Sequence, residues 1–115
     1  MKKNVIILFL MISCNSNKEI INGCNENKEF KKVFFSHFDY IKNNIYIRQD
    51  IKFRESLIFI SNYTHVSLDR IVNYSGTYPY GVFIKDSVIW RNWYEENKCN
   101  NIQLKKELII PEILK

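Results

Sequence analysis

The sequence predicts a mainly α-helical protein, a small bundle of three to four helices. Two observations indicate this fold class. Apolar residues recur at spacings of three and four along much of the chain, which is the period of an amphipathic helix. The 115 residues include only three Gly and two Pro, too few for the many turns of a β-sandwich. This length allows one domain with a modest core and excludes a multidomain enzyme.

The net charge gives little reason to expect a polyanionic partner. The chain carries 17 Lys and Arg against 12 Asp and Glu, a formal charge of +5. Two of the lysines lie in residues 1–13, and without that segment the balance falls to 15 against 12, or +3. Lysines and asparagines are spread along the chain and form no basic cluster. We therefore expect no nucleic-acid partner.

Two helices are predicted in the first half of the domain. The first covers residues 30–42, and Asn27 can cap it. Its apolar residues, which share one face, are Phe30, Val33, Phe34, Phe38 and Ile41. The second covers residues 49–63, and its apolar stripe consists of Phe53, Leu57, Ile60 and Tyr63. A short helical turn capped by Ser67 or Asp69 is expected to follow.

The second half of the domain contains a predicted loop and a tryptophan-rich helix. Residues 73–81 hold two of the three glycines and a proline, which is typical of a loop. A helix is expected from Asp86 or Ser87 to Lys98. Its large apolar residues, predicted to anchor the core, are Trp90, Trp93 and Tyr94. The remaining chain is expected to form a short helix or a strand that ends at Pro111.

The first thirteen residues have the layout of an export signal. Lys2 and Lys3 precede an eight-residue apolar run at positions 5–12. A helix needs about 20 apolar residues to cross a bilayer, so this run is too short for a membrane span. The alternative interpretation is a buried N-terminal strand beside a free cysteine.

The end of the apolar run, Met11-Ile12-Ser13-Cys14, resembles the lipobox of bacterial lipoproteins. In that family a peptidase cuts after a small residue, here Ser13, and the next residue, here Cys14, receives the lipid. The resemblance implies a signal peptide over 1–13, a lipidated tether over 14–25 and a helical domain over 26–115. We therefore expect a lipoprotein of the bacterial cell envelope, anchored to a membrane through Cys14 and facing the periplasm or the outside.

Two further cysteines, Cys24 and Cys99, form an even pair in a compartment that would be oxidising. A disulfide between them and two free thiols are both possible, because the sequence does not give the distance between their Cα atoms. The chain has no CxxC motif, so the sequence supports neither thioredoxin-like redox chemistry nor a zinc ribbon.

The segment 57–99 resembles small lipoproteins of Bacteroidetes-type bacteria and, more distantly, HEAT-like helical repeats. The residues that carry the resemblance are Ile60-Ser61-Asn62-Tyr63-Thr64 and Trp90-Arg91-Asn92-Trp93-Tyr94-Glu95-Glu96-Asn97. It covers under half of the chain. It implies helical hairpins packed on each other, and it implies no activity.

Three tyrosines of the predicted loop, Tyr74, Tyr78 and Tyr80, are the candidate contacts for a partner. Their rings either meet a protein or a glycan, or they cover the tryptophan-rich helix. The expected function is a non-catalytic module without a cofactor that binds another envelope protein. The alternative is a small envelope hydrolase or a glycan-binding protein that uses residues 73–81.

The sequence shows no catalytic motif and no metal-ligand pattern. We interpret the two histidines, His37 and His65, as packing or helix-end residues. A Ser56, His65 and Asp69 set is the best candidate for hydrolysis, but no nucleophile-elbow glycine pattern surrounds a serine. We therefore expect a non-enzyme.

Overall fold

The computed structural model describes residues 24–115. Its helices are α1 (Lys28–Asn43), α2 (Ile51–Ser61), α3 (Leu68–Ile71), α4 (Tyr80–Asn97) and a C-terminal 3-10 helix (Glu112–Leu114). No residue between 24 and 115 belongs to a β-strand. The structure therefore confirms the predicted fold class, a small helical bundle.

Helix α1 begins at a side-chain cap and buries one face. The Asn27 side chain accepts a hydrogen bond from the Phe30 amide at 3.0 Å, which satisfies one of the free N–H groups of the first turn. The side-chain amide of Asn27 also donates a hydrogen bond to the Ile102 carbonyl at 2.8 Å, so this residue links α1 to the C-terminal segment. The buried residues of α1 are Phe30, Phe34, Phe38 and Ile41. Both the cap and the apolar face agree with the prediction.

Helix α2 is shorter than the predicted segment 49–63. Asp50 caps it by accepting a hydrogen bond from the Phe53 amide at 2.7 Å, so the helix begins at Ile51. Three residues of the predicted stripe, Phe53, Leu57 and Ile60, are buried, and so are Ser56 and Phe59. The fourth, Tyr63, lies beyond the end of the helix and is partly buried. Residues on more than one face of α2 are therefore covered, which a single-stripe prediction does not anticipate.

Helix α4 begins at Tyr80, six residues before the predicted start at Asp86. The Pro79 carbonyl accepts the hydrogen bond from the Phe83 amide at 2.9 Å, and Pro79 thereby takes the capping position. The residue before a proline is disfavoured in helical conformation, so the helix cannot extend further back. The prediction of a cap at Asp86 or Ser87 is wrong, and Asp86 is instead a buried residue within the helix.

The core forms where α1 and α4 pack against each other in antiparallel directions. The Phe30 ring lies 6.3 Å from that of Tyr94, and the Phe38 ring lies 5.2 Å from that of Trp90. Trp90 is fully buried, and its indole N–H donates to the His65 carbonyl at 2.7 Å. Trp93 is only partly buried and contacts Tyr63 at 5.9 Å. Helices α1, α2 and α4 therefore share one apolar core, to which α4 contributes Trp90.

Residues 101–111 form neither the helix nor the strand that the sequence suggested. In this segment the N–H of Ile109 donates to the Asn62 side-chain oxygen at 2.8 Å, and the Ile109 carbonyl accepts from the Asn62 side-chain nitrogen at 2.9 Å. These two hydrogen bonds pair the backbone N–H and C=O of Ile109, as a neighbouring β-strand would. The 3-10 helix follows Pro111 and buries Leu114, whose carbonyl accepts from Arg54 at 2.7 Å.

Candidate functional site

The predicted tyrosine loop is a compact structure organised by Asn73. The side-chain oxygen of Asn73 accepts from the Ser75 hydroxyl at 2.7 Å and from the Gly76 amide at 2.9 Å. Its side-chain nitrogen donates to the Thr77 carbonyl at 2.9 Å. Gly76 has φ +67°, a conformation that residues with a Cβ atom rarely adopt. Its carbonyl accepts from the Gln49 amide at 2.8 Å, which fixes the loop to the start of α2.

The three candidate tyrosines lie in three different environments. The Tyr74 side chain is fully exposed at the tip of the loop, whereas Tyr78 is only 2% exposed and belongs to the core. Tyr80 is the first residue of α4, and its exposed ring stacks on that of Tyr46 with the centroids 6.2 Å apart. Of the two alternatives left by the sequence, Tyr78 agrees with the second: its ring is buried with its centroid 6.3 Å from that of Trp90, so its assignment as a partner contact is corrected.

Asp86 connects the loop to the core. Its carboxylate accepts from the Tyr78 hydroxyl at 2.5 Å, from the Ser67 amide at 2.9 Å and from the Ser67 hydroxyl at 2.8 Å. Burial raises the pKa of Tyr78, and the hydrogen bond to Asp86 raises it further. Ser67 takes the predicted position before α3, but its hydroxyl bonds Asp86 and makes no cap. The three residues hold α3, the loop and α4 together.

An open groove of about 350 Å³ lies beside this network, between α3 and the start of α4. Arg70 and Lys85 line it together with Ser67 and Asp86. Both oxygens of Asp86 are already engaged as acceptors, so this carboxylate serves the packing of the loop.

The residues of the candidate hydrolytic set are not brought together. The buried Ser56 hydroxyl lies 2.8 Å from Nδ1 of His37, while Nε2 of His65 lies 3.3 Å from the hydroxyl of Ser67 at the surface. His37 stacks on Phe59 at 4.4 Å, and burial lowers the pKa of its imidazole. The pairing of His37 with Ser56 cannot be read from sequence patterns, because the two residues are 19 positions apart on different helices.

Cys24 and Cys99 are joined by a disulfide, with their Cα atoms 5.0 Å apart. Of the two alternatives left by the sequence, the structure therefore supports the bonded pair. The bond closes a separation of 75 residues and fixes the start of the described chain to the end of α4. Beside it, the Tyr94 hydroxyl donates to the Glu26 carboxylate, and this bond lowers the pKa of Glu26.

The predicted lipidation site Cys14, the signal 1–13 and most of the tether 14–25 lie outside the described residues. None of the helices among the described residues combines the length and the apolar composition that a membrane span requires. Among these same residues no group of three or more His, Cys, Asp or Glu side chains is placed to hold a metal ion.

Comparison with known proteins identified no relative of this chain. No family model matches the chain, and neither a curated protein nor a solved structure is significantly similar to it. The resemblance of residues 57–99 to small lipoproteins thus remains a prediction, and the function has to be inferred from the residues themselves.

Proposed function

We propose that this protein is a lipid-anchored module of the bacterial cell envelope that binds a neighbouring protein through Tyr74. The proposed location rests on Lys2 and Lys3, the apolar run 5–12 and the Ser13-Cys14 pair, which together fit a lipoprotein signal. The Cys24–Cys99 disulfide is consistent with a location in the cell envelope, because structural disulfides persist in oxidising compartments.

The observation that carries the binding role is the full exposure of Tyr74 on a loop that is held by hydrogen bonds. An exposed tyrosine contributes little to folding, since it buries no area against its own chain. The same ring is well suited to an interface, where tyrosine supplies a large amphipathic surface at low entropic cost. Val72 is also exposed, and it lines a shallow depression together with Asn73 and Tyr74.

The fixed loop supports this role because it reduces the cost of binding. The bonds from Asn73 to Ser75, Gly76 and Thr77 and the bond from Gln49 to Gly76 restrain the backbone on both sides of the tip. The backbone that carries the Tyr74 ring is therefore ordered before a partner binds, and preorganisation of this kind increases affinity.

The anchor is tested by the intact mass of the protein extracted from membranes of its native cell. We expect a chain without residues 1–13 that carries acyl groups on Cys14, and a Cys14→Ser variant that lacks them. Alkylation of Cys24 and Cys99 should require prior reduction. An unprocessed, unacylated wild-type chain would contradict the proposed membrane-anchored location.

The binding role is tested by photo-crosslinking in the same cells. A photoreactive residue at position 74 should capture a specific envelope protein, and Tyr74→Ala should reduce recovery of that partner by affinity capture. Ile51→Ala is the control, because Ile51 is an exposed apolar residue at the start of α2. Both variants should unfold at the wild-type urea concentration. Equal recovery with Tyr74→Ala and wild type would refute the role of Tyr74.

A further inference from the structure

A short apolar segment after α4 exposes its side chains to solvent. Leu108, Ile109 and Ile110 are 37%, 75% and 47% exposed. The chain bends at residues 106–107 and begins the 3-10 helix at Glu112, whereas residues 108–111 contain no bend, turn or helix. We call residues 108–111 the C-terminal edge.

The backbone of the C-terminal edge is hydrogen-bonded to the domain on one side. Both the N–H and the C=O of Ile109 bond the Asn62 side chain. In an extended chain the N–H and C=O of one residue point to the same side, and those of its two neighbours point to the other side. Within residues 24–115, the N–H and C=O groups of Leu108 and Ile110 have no hydrogen-bond partner. They therefore form an open edge of the kind that pairs with another extended chain.

The sequence of this edge is complementary to itself when two copies run antiparallel. With Ile109 opposite Ile109 of the second copy, Leu108 and Ile110 lie opposite each other on both sides of the centre. Every exposed apolar residue of the edge then faces another, and the open N–H and C=O groups exchange four hydrogen bonds. A two-fold axis at Leu108 would instead place Glu107 opposite Ile109, and one at Ile110 would place Leu108 opposite Glu112. The apolar pattern therefore selects the register centred on Ile109.

The charges at the two ends of the edge fit the same register. Lys106 precedes the edge and Glu112 follows it, so the antiparallel arrangement places each Lys106 opposite Glu112 of the other copy. Glu112 also pairs with Lys115 of its own chain at 3.3 Å, but both side chains are exposed and such pairs are weak. A parallel arrangement would place Lys106 beside Lys106 and Glu112 beside Glu112.

The two other charged residues within three positions of the edge do not oppose this register. The Lys105 ammonium donates to the Asn62 carbonyl at 2.6 Å and is thereby directed toward its own domain. Glu107 lies opposite Pro111 of the second copy and stays in contact with water, since it is exposed.

We propose that the C-terminal edge pairs with the same edge of a second copy, antiparallel and centred on Ile109, and that the protein forms a symmetric dimer in this way. An interface of this type uses the same surface on both subunits and requires a surface that is complementary to itself. This interface does not include Tyr74, and it depends neither on the proposed binding role nor on the lipid anchor.

Disulfide trapping tests the register. In the full chain with Cys14→Ser, Ile109→Cys places two thiols at a non-hydrogen-bonded position, where opposite Cα atoms are about 4.5 Å apart and within bridging distance. We expect a mild oxidant to link Ile109→Cys into dimers several-fold faster than Ile51→Cys, in which the replaced side chain is exposed to the same extent, 76%. Peptide mass mapping verifies that the Cys24–Cys99 disulfide is retained. Equal trapping at the two positions would overturn the proposal.

Charge exchange tests the antiparallel pairing without a new cysteine. Sedimentation equilibrium of the Cys14→Ser chain should show a reversible dimer. Adding Lys106→Glu sets two carboxylates opposite each other and should raise the dimer Kd about tenfold, and further addition of Glu112→Lys should restore it. Lys32→Glu, at an exposed position of α1, is the control and should leave the Kd unchanged. A monomeric chain whose position 109 photo-crosslinks to a different protein, or a Kd that Lys106→Glu does not change, would refute the dimer.

Discussion

Asp86 shows how one residue can organise several parts of this fold. Its carboxylate is 2% exposed and has no cation among its hydrogen-bond partners, which are Ser67 and Tyr78. Burial of a charge is costly, and hydrogen bonds to both carboxylate oxygens offset that cost. The position of the tyrosine loop therefore depends on a residue within α4 and not on the loop sequence alone.

Substitution of Asp86 should be strongly destabilising. Asp86→Ala leaves the Ser67 amide and the Tyr78 hydroxyl without their acceptor inside the protein, and we expect the free energy of unfolding to fall by about 3 kcal/mol. Asp69→Ala, at an exposed position of α3, should change it by less than about 0.5 kcal/mol. Urea unfolding of both variants measures the difference. A similar effect of the two substitutions would show that the Asp86 network is not stabilising.

His37 should make stability depend on pH. Burial lowers the pKa of His37 in the folded protein below its unfolded value of about 6.5, so the folded state binds fewer protons. The stability that neutral His37 contributes is fully present above the unfolded pKa and is lost as the pH falls through the lower pKa of the folded state. We expect the wild type to lose more stability than His37→Gln between about pH 7 and pH 5, measured by urea unfolding. Equal losses in the two proteins would contradict this origin.

At the scale of the elements, α4 contributes Phe83, Trp90 and Tyr94 to the buried aromatic core. Trp90 is fully buried against Phe38 and Phe83, with ring centroids 5.2 and 5.9 Å away. Trp90→Ala should lower the free energy of unfolding by about 3–5 kcal/mol, because it creates a cavity and removes the donor to His65. Asn92→Ala, on the exposed side of the same helix, is the control. Thermal unfolding that ranks the two variants equally would refute this role.

The two glycines of the loop region should respond in opposite directions to alanine. Gly76 has φ +67°, so Gly76→Ala should destabilise by about 1–2 kcal/mol, although the nearest atom to the new Cβ, on Arg48, is at an ordinary 3.5 Å. Gly81 lies in the first turn of α4 with nothing within 4 Å. Gly81→Ala should therefore stabilise the protein by up to about 1 kcal/mol. Urea unfolding distinguishes the two, and a stabilising Gly76→Ala would exclude the left-handed conformation.

At the scale of the whole molecule, the Cys24–Cys99 disulfide restrains the unfolded chain. It closes a loop with a sequence separation of 75, which corresponds to about 4 kcal/mol in the loop-entropy model. Reduction, or Cys24→Ser with Cys99→Ser, should lower the free energy of unfolding by that amount. Cys14→Ser leaves the disulfide intact and should not. Identical unfolding with and without reductant would contradict this contribution.

Local patterns predicted the elements that local forces determine. The cap Asn27 and the three-and-four spacing of Phe30, Phe34 and Phe38 suffice to place α1 near its observed position. The apolar stripe of α2 placed that helix within two residues of its observed ends. The even cysteine pair indicated a disulfide as one of two alternatives. The amphipathic period, the helix caps and the cysteine count depend on neighbours in sequence or on composition, and these are readable without coordinates.

Only the tertiary structure decided which of the three candidate tyrosines are exposed and which one is buried. The sequence by itself determined a helical domain and a tyrosine-rich segment, and its N-terminal residues resemble a lipoprotein signal, but it grouped Tyr74, Tyr78 and Tyr80 as equals. The fold separates them, because Asp86 holds Tyr78 in the core and Pro79 starts α4 at Tyr80. A buried carboxylate and a helix cap look alike in sequence, since both are an aspartate before an apolar run. Contacts between distant residues distinguish the two roles, and those contacts exist only once the chain has folded.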